Sequence, residues 1–194
     1  MPNYKIAIVV GSLREGSFNR RVAQSLCAFA GDRLNCDIVE IGDLPLYNQD
    51  YDALPEQPAA YTRFRDEIRA ADGVLFVSPE YNRGIPGVLK NAIDVGSRPY
   101  GSSVWATKPA AIVTASPGSI GGFGANHQIR QSCTFLNMPT MQHPEAYLGH
   151  VNDDSFGPDG CLKEGPLKEL VVGLAKAFGD WVHLIHESRR LLAK

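Results

Sequence analysis

The chain lacks any run of lysine and arginine, and its 19 basic residues are nearly balanced by 21 acidic ones, for a formal charge of -2. A nucleic acid or an anionic membrane is therefore a poor candidate for the main partner, since both select clustered positive charge. No apolar run approaches the ~20 residues of a membrane span. The opening Met1-Pro2-Asn3-Tyr4-Lys5 passes straight into an apolar segment, without the basic, apolar and small-residue order of a secretory leader. The four cysteines, Cys27, Cys36, Cys133 and Cys161, form no C-x-x-C pair and no zinc spacing, so they read as reduced thiols of a cytoplasmic protein and no metal site is expected. His127, His143, His150, His183 and His186 show no spacing or partner that marks one as catalytic.

Two phosphate motifs are missing as well. Gly11-Ser12-Leu13-Arg14-Glu15-Gly16-Ser17-Phe18-Asn19 joins an apolar strand to a helix, but no Gly-Lys-Ser/Thr follows to hold a triphosphate and its magnesium. Nor does it carry the Gly-x-Gly-x-x-Gly over which a dinucleotide pyrophosphate runs. What it has is two hydroxyls (Ser12, Ser17), an amide (Asn19) and one guanidinium (Arg14) beside a helix N-terminus, where unpaired N–H groups and the helix dipole favour an anion. That set suits a terminal phosphate monoester. Taken alone, the loop reads equally well as a polar turn in which Ser17 or Asn19 caps the helix.

With 194 residues, 44% of them hydrophobic, the chain is expected to form one domain, 1–194. Apolar strands are predicted at Lys5 to Val10, Val74 to Ser78 and Ala110 to Thr114, each apolar on both faces as in a buried parallel sheet. Asp37 to Ile41 alternates like an edge strand, and a short fifth strand is expected near Thr140 to Gln142, cut off by Pro144. Helices are predicted from Phe18 to near Gly31, Tyr61 to Ala71, Pro86 to Val95, Ala125 to Leu136, and along the heptad-like run from Leu167 to Ile185. Gly42 to Pro58 reads as a surface loop, and Ser155 to Gly165 as a mobile one. This alternation predicts an α/β fold, a doubly wound five-stranded parallel sheet of order 2-1-3-4-5 with helices on both faces. Loops after the first, third and fourth strands then meet in one crevice.

The second of these loops, Pro79-Glu80-Tyr81-Asn82-Arg83-Gly84, and the third, starting at Ser116-Pro117-Gly118, offer close-approaching backbone and a flat aromatic wall to a planar ring. Each alone is also readable as an ordinary turn. Together, Gly11-Ser12-x-Arg14-x-x-Ser17-x-Asn19, Pro79-Glu80-Tyr81-Asn82 and Ser116-x-Gly118-x-x-Gly121-Gly122 closely resemble the flavodoxin-like NADPH-dependent FMN reductase family, the bacterial chromate and quinone reductases in particular.

The resemblance covers about Lys5 to Tyr147. It implies bound FMN, NADPH or NADH as donor, a quinone or similar small acceptor such as chromate, and a homodimer or homotetramer. It places the phosphate among Gly11, Ser12, Arg14, Ser17, Phe18 and Asn19, and the ring among Pro79, Glu80, Tyr81, Asn82, Ser116 and Gly118. No catalytic side chain is expected, because the flavin carries the chemistry. Arg83 and Arg98 are candidates to attract NADPH phosphate or an anionic acceptor. Two rivals share the topology. A flavodoxin-type electron carrier tends to be strongly acidic and to lack an arginine in its phosphate loop. A signalling receiver domain needs clustered acids after the first strand, where this chain has Val10-Gly11-Ser12.

Overall fold

The computed structural model describes residues 3–193. Five parallel strands, β1 (Tyr4–Val10), β2 (Leu34–Val39), β3 (Gly73–Ser78), β4 (Ala110–Ala115) and β5 (Ala146–Leu148), form one sheet of order β2-β1-β3-β4-β5. The helices are α1 (Phe18–Phe29), α2 (Ala59–Arg69), α3 (Gly87–Gly96), α4 (Phe123–Phe135) and α5 (Pro166–Leu192). The doubly wound arrangement expected from the alternation is present.

Period-two geometry divides the core. Successive strand residues point to opposite faces, so Ile6, Ile8 and Val10 of β1 join a core with α1 and α5, while Ala7 and Val9 join one with α2, α3 and α4. Both β3 and β4 are buried along their whole length. Burying each large aliphatic side chain contributes about 1.5–3 kcal/mol, which is why central strands carry no polar alternation to read. α5 runs 27 residues and buries Val171, Leu174, Phe178 and Val182 on one stripe. Among the described residues no helix is long and apolar enough to cross a membrane.

Three elements differ from expectation. β2 begins at Leu34, three residues before Asp37, because its length follows its pairing with β1, from Tyr4 opposite Leu34 to Val9 opposite Val39. The fifth strand lies at Ala146–Leu148, beyond Pro144, while Thr140 makes a single parallel bridge to Ala110. Between the Ala110–Thr140 and Val113–Ala146 pairings β4 advances three residues and its partner six, so the intervening segment loops out around Pro144. Ser155 to Gly165 is anchored. Phe156 and Leu162 are buried and bridged to each other, and the Leu162 N–H donates to Ser25 Oγ of α1 at 2.9 Å.

The Gly42 to Pro58 loop is likewise fastened to the body. Asn91 of α3 accepts from the Tyr47 N–H at 2.8 Å and donates to the Pro45 carbonyl at 2.9 Å, and the Tyr61 hydroxyl donates to the Leu46 carbonyl at 3.0 Å.

Candidate functional site: a phosphate and ring cleft

At the C-terminal ends of β1, β3 and β4 lies a cavity of about 320 Å³, within the ordinary size of small-molecule sites, ~300–1,000 Å³. The loop after β1 contributes Ser12, Arg14, Ser17, Phe18 and Asn19. Ser17 is the N-cap of α1, in extended backbone, and its Oγ accepts from the Arg20 N–H at 3.2 Å. The N–H groups of Phe18 and Asn19, in the first turn, have no partner within the helix, as at any helix N-terminus. Arg14 Nη2 donates to the Gly16 carbonyl at 2.6 Å. Its remaining donors are left for a ligand.

Gly11 shapes the floor of the cleft and does not line it. Its N–H continues the β1 pairing to the Val77 carbonyl at 2.9 Å, and an added Cβ would lie 2.5 Å from Ser78 Oγ. Any larger residue there would force the Ser78 side chain to shift. Asn19 donates through Nδ2 to the Ala115 carbonyl at 3.1 Å, tying α1 to the end of β4, while its Oδ1 is buried with no partner.

The loop after β3 contributes Pro79, Glu80 and Tyr81. Tyr81 and Gly84 exchange both backbone hydrogen bonds, at 3.0 and 2.9 Å, and the two residues between them, Asn82 and Arg83, have φ of 51° and 67°. This is a type I′ turn, which points both side chains outward. Asn82 and Arg83 therefore sit on its exposed tip and do not line the cavity.

Glu80 is turned inward. Its Oε2 accepts from the Ala125 N–H in the first turn of α4 at 3.0 Å, and the absence of a side chain at Gly124 leaves room for it, since a Cβ there would lie 2.8 Å from the same oxygen. From α4, Gln128 answers by accepting from the Ile85 N–H at 3.0 Å and donating to the Arg83 carbonyl at 3.3 Å. Nothing in the local sequence signals these two links, because both partners are distant in the chain.

The loop after β4 contributes Ser116 and Pro117. Ser116 is held between the β5 exit residues, donating its N–H to the Leu148 carbonyl at 2.9 Å and accepting from Val151 at 3.1 Å. Gly118 is exposed and does not line the cavity, its N–H given to Ser116 Oγ at 3.1 Å. Arg98 is elsewhere. It lines a larger cavity of about 780 Å³ between α3 and α4, with Tyr47, Ile85, Gln128 and Phe135. That groove has neither a helix N-terminus nor a glycine-rich loop for phosphate, so its size does not make it the cofactor site.

The small cleft suits a flavin mononucleotide. Among the described residues its lining holds one cation, Arg14, and one carboxylate, Glu80, which is already paired to α4. The helix N-terminus and hydroxyls match a phosphate. The orphaned Asn19 Oδ1, an acceptor, matches a donor such as a sugar-alcohol hydroxyl, because a buried polar atom costs free energy until paired. Pro79, Tyr81 and Pro117 provide flat apolar surface.

The strand order and this cleft define a flavodoxin-like protein that binds a phosphate-bearing ring cofactor. A family model described as NADPH-dependent FMN reductase matches residues 4–153. The chain belongs to that family. A quinone reductase of Pseudomonas putida is 56% identical over 181 residues, covering 93% of this chain and 96% of the relative. A 2-hydroxy-1,4-benzoquinone reductase of a Burkholderia species is 49% identical, covering 92% and 96%. Among solved structures, FerB, a flavoenzyme NAD(P)H:(acceptor) oxidoreductase of Paracoccus denitrificans, superposes with a TM-score of 0.87 at 37% identity, covering 93% of this chain and 97% of its own.

Proposed function

We propose that this chain reduces quinones with electrons from NADPH or NADH through FMN held in the small cleft, the two substrates using one open face in turn. The observation that carries the reading is the asymmetry of the cleft. Three loops line it, and of its two aromatic side chains Phe18 is half-buried beside the phosphate loop while Tyr81, on the loop after β3, is 54% exposed. FMN, when bound, supplies a two-electron exchange between nicotinamide and acceptor. The residues bind and orient it: Ser12, Ser17, Arg14 and the α1 N-terminus hold the phosphate, Asn19 accepts from the chain that follows, and Pro79, Tyr81, Ser116 and Pro117 frame the ring. Glu80 and Gln128 fix the ring loop against α4. Arg83, on the exposed turn, is in position to attract an anionic substrate.

Two relatives support the acceptor class, being named for quinone and benzoquinone reduction. The same reading makes the protein a cytoplasmic homodimer or homotetramer, in which the apolar groove between α3 and α4, with Phe135 88% exposed at its rim, meets a second copy. Initial rates test the proposal: varying NADPH at several fixed quinone concentrations should give parallel double-reciprocal lines. Intersecting lines would mean that both substrates bind at once, in conflict with a shared face.

A further inference from the structure

The segment from Asp153 to Leu162 has no part in the electron-transfer reading, yet it is built against the cleft. Phe156 is 4% exposed, and its ring lies nearly parallel to that of Phe18, at 11° with centroids 6.1 Å apart. On the same ring rests the guanidinium of Arg21, with Cζ 4.0 Å from the centroid, and Arg21 Nη1 is held in turn by Asp153 at 2.9 Å. Phe18 carries Arg14, with Cζ 5.2 Å from its centroid. Arg21, Phe156, Phe18 and Arg14 thus form a ladder of cations and rings. Its last rung is the one cation that lines the phosphate end of the cleft among the described residues.

We infer that Phe156 is a positioning residue for Arg14, holding Phe18 from behind so that the Phe18 face presents the guanidinium to phosphate. The inference rests on the assignment of Arg14 to the cofactor phosphate. Arg14 is an exposed, long side chain with one hydrogen bond, to Gly16. Left free, it would lose rotamer freedom on gripping an anion, and a ring face that attracts the cation beforehand reduces that loss. Phe18 is half-buried at the first position of α1, where the helix alone does not fix its side chain. Phe156 does so from more than 130 residues away in sequence. The role assigned to this loop is to prepare the phosphate site.

Because the device acts on phosphate, its signature is a ratio of affinities. The full chain, with flavin removed, is titrated with FMN and with riboflavin, which shares the ring and sugar-alcohol chain and lacks the phosphate. Phe156→Leu is expected to lower FMN affinity about two- to five-fold relative to riboflavin, the size of one cation–π contact. Phe18→Leu, at a half-buried site, should give the same phosphate-specific loss. Arg14→Ala should lower the ratio further, and adding Phe156→Leu to it should change the ratio no more, since no cation is left to place. Equal weakening of both flavins by Phe156→Leu, or no weakening, would overturn the inference, as would a loss confined to Phe18→Leu. A ratio unchanged by Arg14→Ala would instead remove the phosphate assignment itself, and the inference with it.

Discussion

Arg14 concentrates phosphate recognition in one side chain, so its removal is the sharpest single-residue perturbation of the cleft. Arg14→Ala should weaken FMN by about 1.5–3 kcal/mol, the range for a hydrogen bond to a charged group, or roughly ten- to a hundred-fold; fluorescence titration of the flavin-free chain reads it directly, and unchanged affinity would move Arg14 out of the site. Glu80 acts differently, through α4. Glu80→Ala leaves the Ala125 N–H without its acceptor and should cost about 1–3 kcal/mol in denaturant unfolding. Glu80→Gln keeps an acceptor oxygen and should recover most of the loss; a Gln variant as unstable as the Ala variant would mean that the charge, which also faces Arg83 at 3.4 Å, matters more than the bond.

Among tyrosines, Tyr147 is pushed up to about 12, first by burial and then by its hydrogen bond to Glu145. The folded chain holds this proton more tightly than the unfolded one. Its contribution to stability is therefore complete below the ordinary tyrosine value of 10.0 and is lost as pH rises toward about 12. Ultraviolet titration should show phenolate absorbance still developing above pH 10, and Tyr147→Phe should remove part of that late rise.

At the scale of elements, the buried strands were readable because burial on both faces demands an uninterrupted apolar run, as in Val74 to Ser78. β5 was not, since a three-residue strand has no period of its own, and only its pairing to Val113, Thr114 and Ala115 defines it. The phosphate loop could be read from residue chemistry, for Ser17 caps α1 locally. The Glu80 and Gln128 links and the Phe156 ladder could not, because each joins residues that only the tertiary fold brings together. The same distinction explains why Asn82 and Gly118, next to lining residues in sequence, do not line the cavity: a type I′ turn carries Asn82 to an exposed tip, and Gly118 gives its N–H to the Ser116 hydroxyl.

Close packing makes two glycines diagnostic of this geometry. At Gly121, with φ of +59°, a Cβ would lie 2.4 Å from the Tyr147 carbonyl carbon; at Gly96 it would lie 2.5 Å from the buried Trp105 ring. Gly96→Ala should cost about 1–3 kcal/mol through overpacking, measured by chemical denaturation with FMN binding retained. A neutral substitution would mean that α3 and Trp105 are not packed as described.

In the molecule as a whole one sheet and one cleft serve an FMN-dependent reductase, and the exposed Tyr81 beside the cleft is what the proposed open face rests on. A carrier hands electrons to another protein; on the proposed reading this chain accepts them from a nicotinamide and gives them to a small molecule at the same place. The most direct measurement is the visible spectrum of the FMN-loaded protein under anaerobic conditions. The account predicts that stoichiometric NADPH or NADH bleaches the yellow absorbance and that one equivalent of a simple quinone then restores it. Flavin that stays oxidised in the presence of either nicotinamide, or that is bleached and not reoxidised by quinone, would contradict it.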